Sequence, residues 1–274
     1  MLRNWITRLM FSLIATGGVS VWADDAPSVD DIIAKHVKAI GGKEKLSAQK
    51  SRKLSGKTMM GGGAMEAPTS LEMERPNRFR VDFTFQGMTG TQAYDGKTGW
   101  FIMPFGGKTD PEKMSPEDMK ELEDQADIDG PLVDYKEKGH KVELMGKEDA
   151  DGAQAYKLKV TKKSGDVEYH FVDAEQFLVL KVKGKRSIQG TEVDFETVFG
   201  DYKPVEGVIL AHSIENRGGP MGGGMVMTIE KVEVNPKFPT DRFAMPEPKK
   251  EEPKPGEGEK KDSGEKKPEP AKPN

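Results

Sequence analysis

The stretch Arg78-Phe79-Arg80-Val81-Asp82-Phe83-Thr84-Phe85 decides the fold class, because apolar and polar residues alternate along it without a break. Successive side chains of a β-strand point to opposite faces of a sheet. The four apolar residues therefore take one face, and Thr84 and the charged residues take the other. This pattern predicts a strand with one buried face and one polar face, which is typical of an antiparallel sheet.

The same alternation recurs along the chain, with turn sequences such as Asp95-Gly96 and Ser164-Gly165 between the apolar runs. It appears at Tyr156/Leu158/Val160, Val167/Tyr169/Phe171, Val193/Phe195 and Met225/Met227/Ile229. About ten or eleven strands in succession, with almost no helix between them, indicate an antiparallel meander.

Helical periodicity is confined to a few short segments. Ser28 is a candidate N-cap, and apolar residues then recur at helical spacing as far as Gly41-Gly42. A short second helix is expected at residues 44–48. Ser115 caps a third candidate helix with an acidic first turn, whose apolar stripe is Met119, Leu122 and Ala126. We therefore expect a mainly β fold: a strongly curved antiparallel sheet, or incomplete β-barrel, with helices covering its concave apolar face.

The two ends of the chain differ from the part between them. Residues 1–23 have a basic start, a short apolar run and Val21-Trp22-Ala23, as in a secretory signal peptide. The alternative, a membrane anchor, is disfavoured because Gly17-Gly18 interrupts the apolar run. Residues 247–274 contain no large apolar side chain and are predicted to be a disordered tail rich in Pro, Lys and Glu. One domain, residues 24–246, is expected between them, as a soluble protein of the periplasm.

Composition excludes several classes of function. The formal net charge of −4 argues against a nucleic-acid partner. The chain contains no cysteine, so an exported protein of this sequence must be stable without disulfides. No cysteine follows the predicted cleavage site to carry a lipid anchor.

Signals of enzymatic chemistry are poor. Gly-Lys-Thr occurs three times, but never with the glycine that a phosphate-binding loop requires five positions earlier. The four histidines, His36, His140, His170 and His212, have no metal-binding spacing. By parity, His170 is expected to point outward, and His212 inward into the core. We expect neither an enzyme nor a cofactor or metal site.

Methionine is concentrated near two glycine-rich turns. Met59-Met60-Gly61-Gly62-Gly63-Ala64-Met65 resembles Met221-Gly222-Gly223-Gly224-Met225-Val226-Met227 in composition. Thioethers can bind Cu(I), so copper binding is one hypothesis. The absence of accompanying His or Cys favours the other one, a pliable apolar binding surface.

Five segments together resemble the LolA-like outer-membrane lipoprotein-sorting proteins of Gram-negative bacteria. They are residues 31–46, Arg75-Pro76-Asn77-Arg78-Phe79-Arg80, residues 93–100, residues 202–208 and Phe243-Ala244-Met245-Pro246. The resemblance implies an incomplete barrel with a helical lid, an apolar cavity for acyl chains, and a carrier rather than an enzyme.

The leading hypothesis is accordingly a periplasmic carrier, expected to be a monomer, that binds lipid or lipoprotein acyl chains for outer-membrane sorting. Its lid would present Met119, Leu122 and Ala126. Its wall would consist of apolar residues from four strands: Phe79, Val81, Phe83, Phe85, Trp100, Ile102, Val193, Phe195, Met225 and Met227. For each of these residues, ordinary core packing is the alternative. A second hypothesis is an RseB/MucB-like lipid sensor or interaction module, with envelope membrane proteins as partners.

Overall fold

The computed structural model describes residues 27–188, 191–217 and 224–248. The predicted signal peptide lies outside the described residues, and so does the predicted tail apart from its first two positions. Within the described residues, no helix is both long and apolar enough to cross a membrane.

The described chain is mainly β, as the alternation predicted, and its strands form one antiparallel sheet. Three helices accompany the sheet: α1 (Val29–Ala39), α2 (Lys43–Ala48) and α3 (Pro116–Gln125). The strands in the described part of the chain are β1 (Ser51–Met60), β2 (Met65–Glu74), β3 (Arg78–Phe85), β4 (Met88–Tyr94), β5 (Gly99–Ile102), β6 (Glu112–Lys113), β7 (Lys141–Ala150), β8 (Ala153–Thr161), β9 (Val167–Asp173), β10 (Val179–Ile188), β11 (Thr191–Val205), β12 (Val208–Arg217) and β13 (Met225–Val234).

The sheet consists of two meanders joined at one place. Its strand order is β6-β5-β4-β3-β2-β1-β13-β12-β11-β10-β9-β8-β7. In every neighbouring pair except β1–β13, the two strands follow one another in the sequence. The β1–β13 pair therefore unites the two halves of the sheet. Its register shifts between Ser55 and Gly56: Ser55 pairs with Lys231 and Gly56 with Ile229, so Glu230 of β13 is an extra residue, as in a β-bulge.

Helix capping follows the sequence closely. The Ser28 side chain accepts a hydrogen bond from the backbone N–H of Asp31, and the Asp31 carboxylate accepts one from the backbone of Ser28. The Ser115 hydroxyl likewise accepts from the N–H of Asp118, with Pro116 in the first helical position. Each cap satisfies a backbone donor that the helix itself leaves free.

Contacts of α3 require the sheet to be strongly curved. Leu122 packs with Phe79 of β3, while Glu121 pairs with Arg186 of β10. Six strand spacings separate β3 from β10 in the sheet order, or about 29 Å along a flat sheet. A helix of this length extends only about 15 Å. The sheet must therefore curl around α3, which defines an inner face on the helix side and an outer face behind it.

A C-terminal strap, residues 236–246, covers the outer face of β1–β5. Arg242 of the strap forms ion pairs with Glu72 and Asp82, and the indole N–H of Trp100 donates to the carbonyl oxygen of Phe243 at 2.9 Å. The Glu72 side chain is only 2% exposed, so the Arg242 guanidinium pairs with a carboxylate that water scarcely reaches. The strap gives the outer face of this region a core of its own.

Candidate functional site

Most of the predicted wall lies on the inner face. Directly paired residues of antiparallel strands share a face, so the register can be followed from strand to strand. Phe83 pairs with Thr69, Thr69 with Gly56, and Gly56 with Ile229. The same procedure extends through β12 to β11. The predicted wall residues on the inner face are Phe79, Val81, Phe83, Phe85, Val193, Phe195, Met225 and Met227.

Trp100 and Ile102 require a correction, because they lie on the outer face. The hairpin at Asp95-Gly96 pairs Trp100 with Ala93, and Ala93 pairs with Arg80. Arg80 is adjacent to Phe79 in β3 and points the opposite way. Trp100 is 1% exposed because the C-terminal strap covers it. These two residues therefore cannot share a wall with Phe79, although their hydrophobicity suggested it.

One end of the inner face is filled by helices and loops. Leu122 of α3 and Ala126, the C-cap residue that follows it, pack with Phe79 and Tyr94. Further along the sheet, Ile32 of α1 packs into a cluster of β8 and β9 side chains. Leu122 is 3% exposed and Ala126 1%, while Met119 is half-buried beside them. The stripe predicted for α3 is thus its sheet-facing side.

The other end of the inner face carries two aromatic side chains that lie flat on glycines. A Cβ atom added at Gly90 would stand 2.4 Å from the ring of Phe83, and one added at Gly184 would stand 2.8 Å from the ring of Phe195. Both rings are half-buried. Phe83 also stacks against Phe105, with ring centroids 5.5 Å apart. The two glycines allow the rings to lie along the sheet, and the outward side of each ring is partly uncovered.

Exposed apolar side chains cluster at this same end, which we call the hairpin rim. The rim comprises the turns after β1 and β3, the residues following β5, and the start of β13. Among the described residues, six large apolar side chains are exposed, and five of them belong to the rim: Met59, Met65, Met88, Phe105 and Met225. The prediction of methionine-rich apolar turns thus has a structural counterpart, while Met221 lies outside the described residues. An exposed apolar group of this kind is typical of a binding surface.

Three polar contacts hold α3 against the sheet. The hydroxyl of Tyr94 donates to Glu123 at 3.2 Å, Lys162 pairs with Asp124 at 2.6 Å, and Arg186 pairs with Glu121 at 2.7 Å. The helix is therefore attached to both halves of the sheet by acidic residues of its own. Such contacts can be exchanged for water more readily than an apolar core can.

The Lys162 contact belongs to a partly buried ionic cluster on the inner face. Lys162 also pairs with Glu168, which accepts a hydrogen bond from His170 at 3.0 Å. Burial alone would raise the pKa of Glu168, but the His170 hydrogen bond and the Lys162 ammonium outweigh it and lower that pKa to about 2. For Asp124 burial outweighs Lys162, and its pKa is raised. The Lys162–Asp124 contact is therefore the more acid-sensitive of the two.

Glu168 is expected to make stability depend on pH below about 4.5. Its pKa falls from 4.5 to about 2 on folding, so its stabilisation is complete above pH 4.5 and is lost as the pH drops towards 2. The shift corresponds to about 3 kcal/mol. Urea unfolding of Glu168→Gln should show lower stability than the wild type at pH 7, with the difference shrinking below pH 4.5. Glu143→Gln, an exposed residue paired with Lys159 at 3.4 Å, is the control; a constant difference across this pH range would contradict the assignment.

The histidines have structural partners. His36 donates from Nδ1 to the carbonyl oxygen of Phe177 at 2.7 Å, and burial lowers its pKa. His212 faces inward, as its parity predicted, and is 7% exposed. The prediction for His170 is wrong, because it pairs with Leu158 on the inner face and is 4% exposed. Within the described ranges, no three His, Cys, Asp or Glu side chains are grouped so that they could hold a metal ion.

Two clefts lie away from the apolar inner face. One, of about 360 Å³, is on the outer face between Trp100 and the C-terminal strap. The other, of about 340 Å³, lies between α1 and the loop at residues 134–137. Neither cleft is lined by any of the predicted wall residues that lie on the inner face.

Sequence comparisons match neither a family model nor a curated protein, whereas structural comparisons find solved structures of similar fold. No family model matches the chain, and no curated protein matches its sequence. A DUF1329 family protein from Desulfovibrio piger superposes with a TM-score of 0.56 at 12% identity, covering 80% of this chain and 98% of that one. A LolA superfamily protein from Nitrosomonas europaea superposes with a TM-score of 0.54 at 14% identity, covering 80% and 98%. At these identities the likeness is one of fold.

Proposed function

From the LolA-like fold of this chain, we propose that the protein is a periplasmic carrier that binds the acyl chains of a lipid or lipoprotein on its inner face. The observation that carries this proposal is the pair of flat, half-buried rings, Phe83 over Gly90 and Phe195 over Gly184. A sheet that needed only a core would cover both rings. Here both rings stay half-buried at the end of the inner face where the exposed methionines of the hairpin rim lie.

Hydrophobic contact alone can hold such a ligand if it has more than one chain. Each buried methylene contributes about 0.8 kcal/mol, so one fully buried chain of 14 methylenes contributes about 11 kcal/mol. An open groove recovers roughly half of that, which is similar to the cost of association. A second or third chain adds its contribution without that cost. The proposal therefore favours diacyl and triacyl ligands over single-chain ones.

The direct test is mass spectrometry of organic extracts from the protein purified from the periplasm without detergent. A stoichiometric acyl lipid is expected, and its identity names the cargo. An empty protein that also fails to bind added diacyl lipid and lipopeptide would overturn the carrier function. It would leave the second hypothesis, an interaction module on the same fold.

A covalent lock on α3 is expected to slow lipid exchange. The ideal Cβ position at Gly99 is 3.5 Å from the Cβ of Met114, just before α3 begins, and this distance suits a disulfide. Because the chain has no cysteine, Gly99→Cys with Met114→Cys would form an unambiguous pair. If α3 must move away from β5 to admit chains, the oxidised protein should take up lipid about tenfold more slowly or worse. Reduction should restore the rate.

The single variant Met114→Cys serves as the control for that lock, since it cannot form the bond. Stopped-flow transfer of a fluorescent diacyl lipid measures the rate in each form. Equal rates for the oxidised and reduced proteins would show that chains enter without displacement of this end of α3.

A further inference from the structure

The charged side chain of Arg186 stands on the inner face beside Phe195. Arg186 alternates with Gly184 on β10 and pairs in register with Val193 of β11. Its guanidinium carbon lies 5.4 Å from the ring centroid of Phe195, and its Nη1 donates to Glu121 of α3 at 2.7 Å. It thus contacts both the half-buried ring of Phe195 and helix α3.

The guanidinium group is only partly satisfied. Its Nε–H is buried, and no acceptor for it is found among the residues that the structure describes. Glu121 binds through Nη1, so within the described ranges no carboxylate faces the edge formed by Nε and Nη2. That edge is a fork of two parallel donors, which matches two oxygens of a phosphate or carboxylate. A buried donor without a partner is costly, so a ligand that supplies an acceptor there gains affinity.

From this arrangement, and resting on the proposed carrier function, we propose that Arg186 binds the anionic head group of the acyl ligand. The ligand class is an acidic lipid, with a phosphate or carboxylate attached next to its chains. The chains would lie along Phe195 while the head group engages the Nε edge of Arg186. Nothing in the apolar wall itself would select such a lipid.

Glu121 and the head group of the ligand compete for Arg186. The carboxylate and the ligand's anion repel each other while sharing one cation. Occupation of Arg186 by a head group therefore weakens the contact between β10 and α3. Binding of an acidic lipid and release of the helix are coupled in this way, whereas a neutral lipid leaves the Arg186–Glu121 pair intact.

The test compares two water-soluble lipids with identical chains, dioctanoyl phosphatidic acid and dioctanoylglycerol, by calorimetry on the wild-type protein. The acidic lipid is expected to bind at least about tenfold more tightly, as a charge-assisted hydrogen-bonded pair implies. Arg186→Gln should remove that preference while changing dioctanoylglycerol binding less than about twofold. Glu121→Gln should strengthen binding of the acidic lipid only.

Lys185→Gln is the matched control, since it removes the same charge one residue away. Lys185 points to the outer face, is exposed and pairs with Glu192. It should leave both affinities unchanged. If Lys185→Gln reduces phosphatidic acid binding as much as Arg186→Gln does, long-range charge and not a site at Arg186 is responsible, and the inference fails.

The remaining outcomes separate the two proposals. Equal affinity of the wild type for both lipids overturns the head-group site but leaves the carrier function standing. Binding of neither lipid overturns both. Excess inorganic phosphate should compete only weakly, because it lacks chains; full displacement of the acidic lipid by phosphate would identify a site for the free anion and overturn the lipid assignment.

Discussion

Gly56→Ala is expected to lower the melting temperature by roughly 6–12 °C, or to prevent folding, although it adds one methyl group. A Cβ atom at this position would stand 1.9 Å from the backbone oxygen of Thr228 on β13. That oxygen belongs to the main chain of the one pairing that joins the two halves of the sheet. The strands must separate locally, at a cost of about 3 kcal/mol. For a domain of this size, each kcal/mol lowers the melting temperature by about 2–4 °C.

Gly106→Ala provides the control for that substitution. A Cβ atom at Gly106 would meet nothing within 4 Å, and its backbone is not in the left-handed region. Thermal unfolding followed by circular dichroism should place this variant within about 2 °C of the wild type. Equal melting temperatures for both variants would mean that β1 and β13 do not approach as closely as the structure indicates.

The pairing of β1 with β13 could not be predicted from the sequence, whereas the individual strands could. Period-two alternation in Arg78–Phe85 and its repeats reflects a local property, the pleat of the backbone. Capping at Ser28 and Ser115 is equally local and was predicted correctly. The pairing of β1 with β13 joins segments more than 150 residues apart, and no local pattern specifies it. The two-residue strand β6 is too short to show a period, which is one reason why the described residues contain thirteen strands where ten or eleven were expected.

The candidate site was predicted only in part, because a sequence pattern reports on one strand and not on how separate strands pair. Alternation correctly grouped Phe79, Val81, Phe83 and Phe85, because they belong to one strand. It could not relate β5 to β3, since this depends on how the Asp95-Gly96 hairpin aligns two strands, and Trp100 was therefore assigned to the wrong face. Arg186 was overlooked, although its parity with Val182 in the sequence was a signal that it points inward.

The correction at β5 has a consequence for ligand binding that a pair of matched substitutions can measure. Phe83 and Ile102 were both predicted to line the acyl-chain wall, and both side chains are half-buried. The register places Phe83 on the inner face over Gly90, and Ile102 on the outer face opposite Thr91. A carboxylate introduced at either position should cost the fold little, since each side chain already reaches solvent.

Phe83→Glu is accordingly expected to weaken binding of dioctanoylglycerol by about 100-fold or more, whereas Ile102→Glu should change it less than about twofold. The first substitution removes an apolar ring worth about 2 kcal/mol of contact and requires a carboxylate to be desolvated beside the chains, which costs more. The second substitution introduces the same charge in place of an apolar side chain, but on the far side of the sheet. A neutral lipid is the right probe, because an acidic one would be repelled by either carboxylate.

Calorimetric titration of both variants measures these affinities, after each variant has been checked for a wild-type circular dichroism spectrum. Retained binding in a folded Phe83→Glu protein would exclude the inner face as the acyl-chain site. Lost binding in Ile102→Glu would move that site to the outer face.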